Sequence, residues 1–307
     1  MRILVTGGTS FTAGYLLPLL VQRFPYARIT ASGTKEKAVF GAQVPYIPAD
    51  LGVREQVNNL FNSVNPELIF HVAGFGGRDA NRCYRTNLDG TRNLMAAAAC
   101  LQVQPKIIYV SSASVYGMTR AEESPVKEST PLRPVAAYGA SKAAAELAAL
   151  TFYHQCKIPV AVVRPFNLLG PGLPLGLAAA DFLEKGKQIR DGPAERLLKV
   201  GNVSAERDFV DVRDAVRAYV DLIESEDIWG KVFNVASGIP VSIQAVLEGI
   251  LTALNLDVEI RQDPGLKKQV EVFSQTGDPT ALRDQTGWTP QFGLYESLRD
   301  MAQNGVS

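Results

Sequence analysis

The chain is poor in the residues that bind metals and carry redox chemistry. His71 and His154 are its only histidines, and Cys83, Cys100 and Cys156 its only cysteines, among 307 residues. None of the five stands at the spacing of a metal or redox motif, which argues against a metal cluster and leaves small buried packing as the expected role of the cysteines. Net charge is also missing. Lys+Arg and Asp+Glu number 31 each, so no overall basic field directs the chain to nucleic acid or an anionic membrane, and any phosphate must be held by local groups. No apolar run approaches the roughly 20 residues of a membrane span, and the opening Met-Arg-Ile-Leu-Val-Thr reads as a strand rather than a leader. These absences leave a cytoplasmic enzyme with one large α/β domain and a smaller companion as the expectation.

What is present is an alternation of strand-like and helix-like stretches. Ile3-Leu4-Val5 runs into Thr6-Gly7-Gly8-Thr9-Ser10-Phe11-Thr12-Ala13-Gly14 and then into the helical Tyr15-Leu-Leu-Pro-Leu-Leu20. Strand, glycine turn and helix N-terminus together make an anion site, because free backbone N–H groups and the positive end of the helix dipole meet a pyrophosphate there. The dinucleotide pattern has glycine at positions 7, 10 and 13, where this chain has Gly7, Ser10 and Ala13. Ser10 falls where the backbone is expected to pass closest to the phosphate, and a purely structural turn stays open at this point. Further strands are expected over 28–32, 44–49, 68–73, 106–110 and 158–163, giving a doubly wound parallel sheet with helices on both faces. The second of them ends in Ser32-Gly33-Thr34-Lys35, without the Asp or Glu that would accept both adenine-ribose hydroxyls. A 2′-phosphate is therefore tolerated, with Lys35 either its partner or an ordinary solvated lysine.

The catalytic candidates lie at the carboxyl end of the fifth strand and on the helix that follows. Ser111-Ser112 comes directly after Lys106-Ile-Ile-Tyr-Val110, where open parallel sheets collect functional groups. Ser112 could equally cap a turn. Tyr138 and Lys142 are four residues apart on one helix face, so that the ammonium is expected to lower the phenol pKa and make Tyr138 a usable proton donor and acceptor. By itself the pair also occurs on solvated helix faces.

Taken in chain order, Thr6-Gly7, Asp50, His71-Val-Ala-Gly74, Asn87, Ser111-Ser112, Tyr138-Gly-Ala-Ser-Lys142 and Arg164-Pro-Phe-Asn167 resemble the extended short-chain dehydrogenase/reductase family, nucleotide-sugar branch. The resemblance spans essentially the whole chain. It implies an NAD(P)-binding Rossmann domain over 1–165, with segments returning near 206–240, and a smaller discontinuous substrate domain mainly over 166–307. It implies Ser112, Tyr138 and Lys142 as the catalytic triad. Cofactor contacts would come from Gly7, Thr9, Ser10, Phe11, Thr12, Ser32, Thr34, Lys35, Asp50, Leu51, Val72, Ala73, Gly74, Asn87, Tyr138, Lys142 and Pro165, and the cofactor would be NADP, with NAD possible. Substrate contacts would come from Phe75, Ser112, Ala113, Asn167, Val200, Arg207, Lys268 and Glu271. Arg207 would fork onto a diphosphate, the alternative being a surface pair with Asp208.

Arg164-Pro-Phe-Asn-Leu-Leu-Gly-Pro-Gly, Lys199-Val-Gly-Asn, Arg207-Asp-Phe-Val-Asp-Val-Arg-Asp and Asn234-Val-Ala-Ser-Gly look most like that family's GDP-6-deoxy-4-keto-mannose reductases, which form GDP-rhamnose. Two stretches depart from the pattern: Leu-Lys-Lys-Gln-Val-Glu at 266–271, where the family's second diphosphate arginine is either replaced by Lys268 or lost, and a short glycine-rich loop after His71. Dehydratases of the branch carry Asp-Glu after the position of Ser112, where this chain has Ala113-Ser114, neither of them a general acid. A 4-ketoreductase and a 4-epimerase both remain, beside a non-catalytic dinucleotide sensor. The alanine-rich helices near 94–100 and 142–149 would form the family's two-fold four-helix dimer interface, or else pack only on their own sheet.

Overall fold

The computed structural model of the protein describes residues 1–36, 44–192, 196–266 and 273–306. The strands run β1 (Arg2–Thr6), β2 (Arg28–Gly33), β3 (Tyr46–Pro48), β4 (Leu68–His71), β5 (Lys106–Val110), β6 (Val160–Pro165), β7 (Asn167–Leu169), β8 (Leu197–Val200), β9 (Glu206–Asp211), β10 (Val232–Val235), β11 (Pro240–Ser242), β12 (Glu259–Gln262) and β13 (Ser274–Gln275). The helices used below are α1 (Phe11–Arg23), α2 (Arg54–Val64), α3 (Ala80–Cys83), α4 (Gly90–Ala99), α5 (Ala137–Cys156), α6 (Ala178–Asp191), α7 (Val212–Ile223) and α8 (Ile243–Ala253), then α9 (Thr280–Thr286) and α10 (Leu294–Asn304).

Among the described residues the main layer is a seven-stranded sheet in the order β10-β6-β5-β4-β1-β2-β3, paired in parallel throughout. Its central strands are short runs of aliphatic residues because both faces are covered. Ile3 and Val5 point into one core with Leu16 and Leu20 of α1 and Val216 and Tyr219 of α7. Leu4, between them, points into the other with Val57 and Leu60 of α2, Leu94 of α4 and Ala145 of α5. The period-two alternation of a strand thus divides one tripeptide between two cores.

From β1 the chain winds outward to β2 and β3, then crosses to β4 on the other side of β1. That reversal opens a crevice at the carboxyl ends of β1 and β4, which is where an open α/β sheet takes its ligand. The second layer is built from β7, β9, β11 and β13 and from the β8–β12 pair. Its own core contains Leu183, Leu247, Ile250, Leu298 and Met301 from α6, α8 and α10. Strand bounds differ from expectation at edges: β3 is confined to Tyr46–Pro48, and β6 begins at Val160, after the left-handed Lys157 ends α5 and the Pro159 carbonyl has bonded Ile107. The cysteines do not all pack inside. Cys83 is buried, but Cys100, the residue that ends α4, is exposed, and Cys156 is intermediate.

Behind the crevice lies a buried polar network. Arg164 and Glu146 form an ion pair with side chains 5% and 1% exposed. Glu146 Oε2 also accepts from the Ser111 hydroxyl at 2.8 Å. Arg164 donates to the Tyr116 hydroxyl at 2.8 Å and the Glu128 carbonyl at 3.0 Å, and Tyr116 in turn donates to Asn234 Oδ1 at 2.6 Å. β5, α5, β6 and β10 are thereby tied together beneath the catalytic candidates.

Candidate active site

The crevice holds a cleft of about 440 Å³ lined by Gly7, Thr9, Ser10, Ser32, Gly33, Thr34, Asp50, Ala73 and Gly74, among others. Gly7 has φ +69°, and a Cβ there would stand 2.7 Å from the Ala73 backbone, so this position requires glycine. Ser10 differs from expectation. Its backbone is extended (φ −82°, ψ 161°), which any residue adopts, and its hydroxyl caps α1 by accepting from the Ala13 N–H at 3.2 Å. A serine is therefore compatible with the turn where the pattern has glycine. Ser32, 1% exposed, has a hydroxyl without a hydrogen-bond partner although it lines the cleft. A buried hydroxyl in that state awaits a ligand oxygen or water. With the glycine cradle and the helix N-terminus, it makes these residues a fit for a dinucleotide.

Deeper in, α5 carries Tyr138 and Lys142. Lys142 is 3% exposed. Its Nζ donates to the Val110 carbonyl at 2.6 Å and lies 5.1 Å from the Tyr109 ring centre. A Cβ on Gly74 would come within 3.2 Å of that Nζ. Burial pushes the Lys142 pKa down to about 8, against the opposing pull of Glu146. Tyr138 corrects an expectation. Its phenol is raised above the ordinary tyrosine value, because desolvation outweighs the lowering influence of the Ser112 hydroxyl. At neutral pH the arrangement therefore holds a protonated phenol beside an ammonium. Ser112 fills the capping role foreseen for it, its Oγ closing the short turn Ala113–Val115 by accepting from the Ser114 N–H at 3.1 Å, and its hydroxyl is near enough to Tyr138 to pull the phenol pKa down.

His71 and Asn87 brace this centre. His71 is fully buried between Thr6 Oγ1 at 2.8 Å and Thr91 Oγ1 at 3.0 Å, and burial near Lys142 drops its pKa to about 3, so it is a neutral tie between β1, β4 and α4. Asn87 sits where the helix widens into a π-type turn over Tyr84–Asp89. Its amide bonds both backbone groups of Phe75 and donates to the Ser141 hydroxyl at 2.8 Å, which reaches the Tyr138 carbonyl. The loop after β4 is thus fastened to α5.

The remaining candidates divide. Leu51 and Phe75 line the cleft together with the glycine turn. Lys35 is exposed and outside the cleft lining, where its carbonyl accepts from the Tyr46 hydroxyl. Phe11 and Thr12 belong to the first turn of α1, while Val72 and Pro165 are buried at strand ends. Ala113 packs in a small core with Tyr116 and Phe166. Val200 is 1% exposed in the core of the second layer, so its side chain is not offered to a substrate. Asn167 donates its amide to the Asp208 carbonyl at 2.8 Å. Arg207 donates to the Glu206 carbonyl, and it does not form a surface pair with Asp208. Asp208 is fully buried, its carboxylate accepting from the Ser237 hydroxyl and from the N–H groups of Ser237, Gly238 and Gly277. Lys268 and Glu271 lie outside the described residues. Arg82, Arg85 and Thr86 line the cleft and escaped the sequence reading. Their signal was present: Arg78, Arg82 and Arg85 recur at helical spacing just before Asn87. Among the described residues no cluster of His, Cys, Asp and Glu could hold a metal.

Residues 3–236 match the NAD dependent epimerase/dehydratase family. The GDP-6-deoxy-D-mannose reductase of Pseudomonas aeruginosa is 32% identical over 239 residues, covering 76% of this chain and 78% of that protein. The GDP-6-deoxy-D-talose 4-dehydrogenase of Aggregatibacter actinomycetemcomitans is 28% identical over 99% of this chain and 98% of its own length. The solved structure of RMD from Pseudomonas aeruginosa complexed with NADPH superposes with a TM-score of 0.82 at 27% identity, covering 99% of this chain and 98% of that one.

The two pKa directions give a pH test. Lys142 loses its proton near pH 8 in the fold but near 10.5 when unfolded. Between those values the unfolded chain holds more protons, so this group makes the fold more stable as pH rises, while any rate that needs the ammonium falls. A profile of kcat from pH 6 to 10 is expected to decline with an apparent pKa near 8, at intact secondary structure. A rate that stays level to pH 10 would remove the Lys142 charge from the chemistry.

Proposed function

The chain belongs to the NAD dependent epimerase/dehydratase family, and on that premise we propose that it is an NADPH-dependent reductase of a 4-keto-6-deoxy nucleotide sugar. The observation that carries this reading is the grouping of Tyr138 and the buried Lys142, one turn apart on α5, with Ser112 at the end of β5, where burial keeps the phenol protonated. A resting donor of this kind suits the reductive direction, in which a carbonyl oxygen gains a proton. The nicotinamide, when bound, supplies the hydride that arrives at sugar C4. Ser112 orients the C4 oxygen by hydrogen bonding, and Tyr138 passes its phenolic proton to that oxygen as charge develops there. Lys142 stabilises the phenolate left behind until solvent returns a proton. The ketone then leaves as an alcohol, with one hydride and one proton added.

NADP in preference to NAD is supported by the end of β2, which has no carboxylate and presents the unpartnered Ser32 hydroxyl and Thr34 to the cleft. A guanosine diphosphate carrier and a GDP-rhamnose product rest on the Pseudomonas reductase. Dehydration is disfavoured because Ala113 is buried and Ser114 has no acidic group. We place the enzyme in the cytoplasm, no helix among the described residues being long and apolar enough to cross a membrane. We also propose a homodimer through α4 and α5, which pack side by side and leave Leu147 58% exposed on α5. Light scattering at micromolar concentration should give twice the 33.2 kDa chain mass, and a monomer mass would refute it.

The activity test is stoichiometry. GDP-4-keto-6-deoxy-mannose is expected to oxidise NADPH one for one, and Tyr138→Phe, which keeps the ring, to lower kcat by ~10²–10⁴ without loss of fold. NAD retained through gel filtration, with C4 inversion of a nucleotide sugar and no added cofactor, would establish an epimerase instead.

A further inference from the structure

Lys142 and Glu146 stand four residues apart on α5, the spacing at which a helix brings an ammonium and a carboxylate together. Both are almost wholly buried. Among the described residues they nonetheless form no ion pair, because Glu146 is turned toward β6. Arg164 forks onto it, Nη2 donating to Oε1 and Nε to Oε2 at 3.1 Å, and the Ser111 hydroxyl adds a third bond to Oε2 at 2.8 Å. The Lys142 ammonium is held instead at the Val110 carbonyl, at 2.6 Å. A Cβ on Gly74, which lines the cleft, would meet that Nζ at 3.2 Å and Asn87 Oδ1 at 3.4 Å, so the head of the lysine lies against the cleft wall.

We infer that Arg164 is a positioning residue for Lys142: by occupying both oxygens of Glu146 it denies the lysine its helical counter-ion and keeps the ammonium at the cleft. The inference rests on the reading of Lys142 as the partner of Tyr138. A planar guanidinium takes both carboxylate oxygens at once, whereas an ammonium is a point charge that grips one. The other ionisable groups about Lys142 do not compete for it. Tyr138 on α5 and Tyr109 in β5 are neutral phenols, and His71 at the end of β4 is a neutral imidazole. Glu128 faces Arg164 from the loop after β5, with its carbonyl on Arg164 and its carboxylate on the Asn234 N–H. A released Glu146 would draw Nζ back along α5, away from Val110, and raise a pKa that burial otherwise holds at about 8.

The charge on Lys142 can be read without turnover, by carbon-13 NMR of the full chain labelled at lysine Cε and titrated across neutral and alkaline pH, with Lys142→Met marking the resonance. Wild type should titrate near pH 8. Arg164→Lys keeps the positive charge but loses the fork, and should raise the midpoint by about 1 unit. Glu146→Gln should lower it, and the upward shift should vanish when Arg164→Lys is built on Glu146→Gln, since no carboxylate remains to be released. Should either variant fail to fold, Ser111→Ala, which removes one bond from Oε2, carries the test, with a smaller upward shift expected. A midpoint unmoved in folded Arg164→Lys or Ser111→Ala, or an upward shift that survives in the double variant, would overturn the inference and leave the Arg164–Glu146 pair a structural tie. Profiles of kcat for the same variants address the reading beneath it: a decline that ignores a shifted Lys142 midpoint would remove the lysine from the chemistry, and with it the purpose assigned to Arg164.

Discussion

The structure depends on keeping positive charge in its interior. Lys142 and Arg164 are both almost wholly buried, and Glu146 pairs with Arg164 and pulls against the desolvation of Lys142. Removing one member of a buried pair typically costs about 3–5 kcal/mol, because the other is left uncompensated. The Val110 carbonyl and the Tyr109 ring face supply the remaining support for the ammonium. Lys142 is thus held near neutrality in its titration, with a pKa of about 8, where a modest change in its surroundings switches its charge. The position of Glu146, one turn beyond Lys142 and two beyond Tyr138 on the same helix face, puts the catalytic candidates and their counterweight on one helix.

Around that charge, neutral ties do the positioning. His71, despite being one of only two histidines, is no acid or base: squeezed between two threonine hydroxyls, it joins the ends of β1 and β4 to α4. Asn87 fastens the Phe75 backbone to Ser141 of α5. These bonds cross the topological reversal of the sheet, so the walls of the cleft and α5 are fixed relative to each other before any ligand arrives. The glycines of the loop serve the same end at Gly7 and Gly74, where the backbone must pass close to Ala73 and to the Lys142 ammonium.

Much of this was legible in the sequence, for reasons that differ by feature. Strand–turn–helix alternation and short aliphatic runs dictate a parallel sheet, and it forms in the seven-stranded order described. The glycine turn was readable, but the serine at its middle was not, because a capping hydroxyl on extended backbone looks in sequence like a broken phosphate loop. Tyr138 and Lys142 were visible from their spacing, whereas the sign of the phenol shift was not: proximity of an ammonium lowers a phenol pKa, but only coordinates reveal the burial that raises it further. Asp208, which the sequence offered only as an alternative surface partner for Arg207, is a buried acceptor for three backbone N–H groups, a role that no neighbour in sequence announces. Lys35 was legible as a charge near β2, yet side-chain direction after a strand end is set by the local turn. Arg82 and Arg85 enter the cleft from a segment distant in sequence, and only the fold brings Arg85 to Asp50.

The central claim is that Tyr138 and Lys142 complete the delivery of a hydride to a sugar carbonyl. The most direct measurement follows a label: NADPH carrying deuterium on the transferred face of nicotinamide C4 is supplied with a GDP-4-keto-6-deoxy sugar, and the product is read by NMR. The account predicts one deuterium at sugar C4 for each NADPH oxidised, in a single configuration. Product with hydrogen at C4 and the label still in the nicotinamide would contradict it.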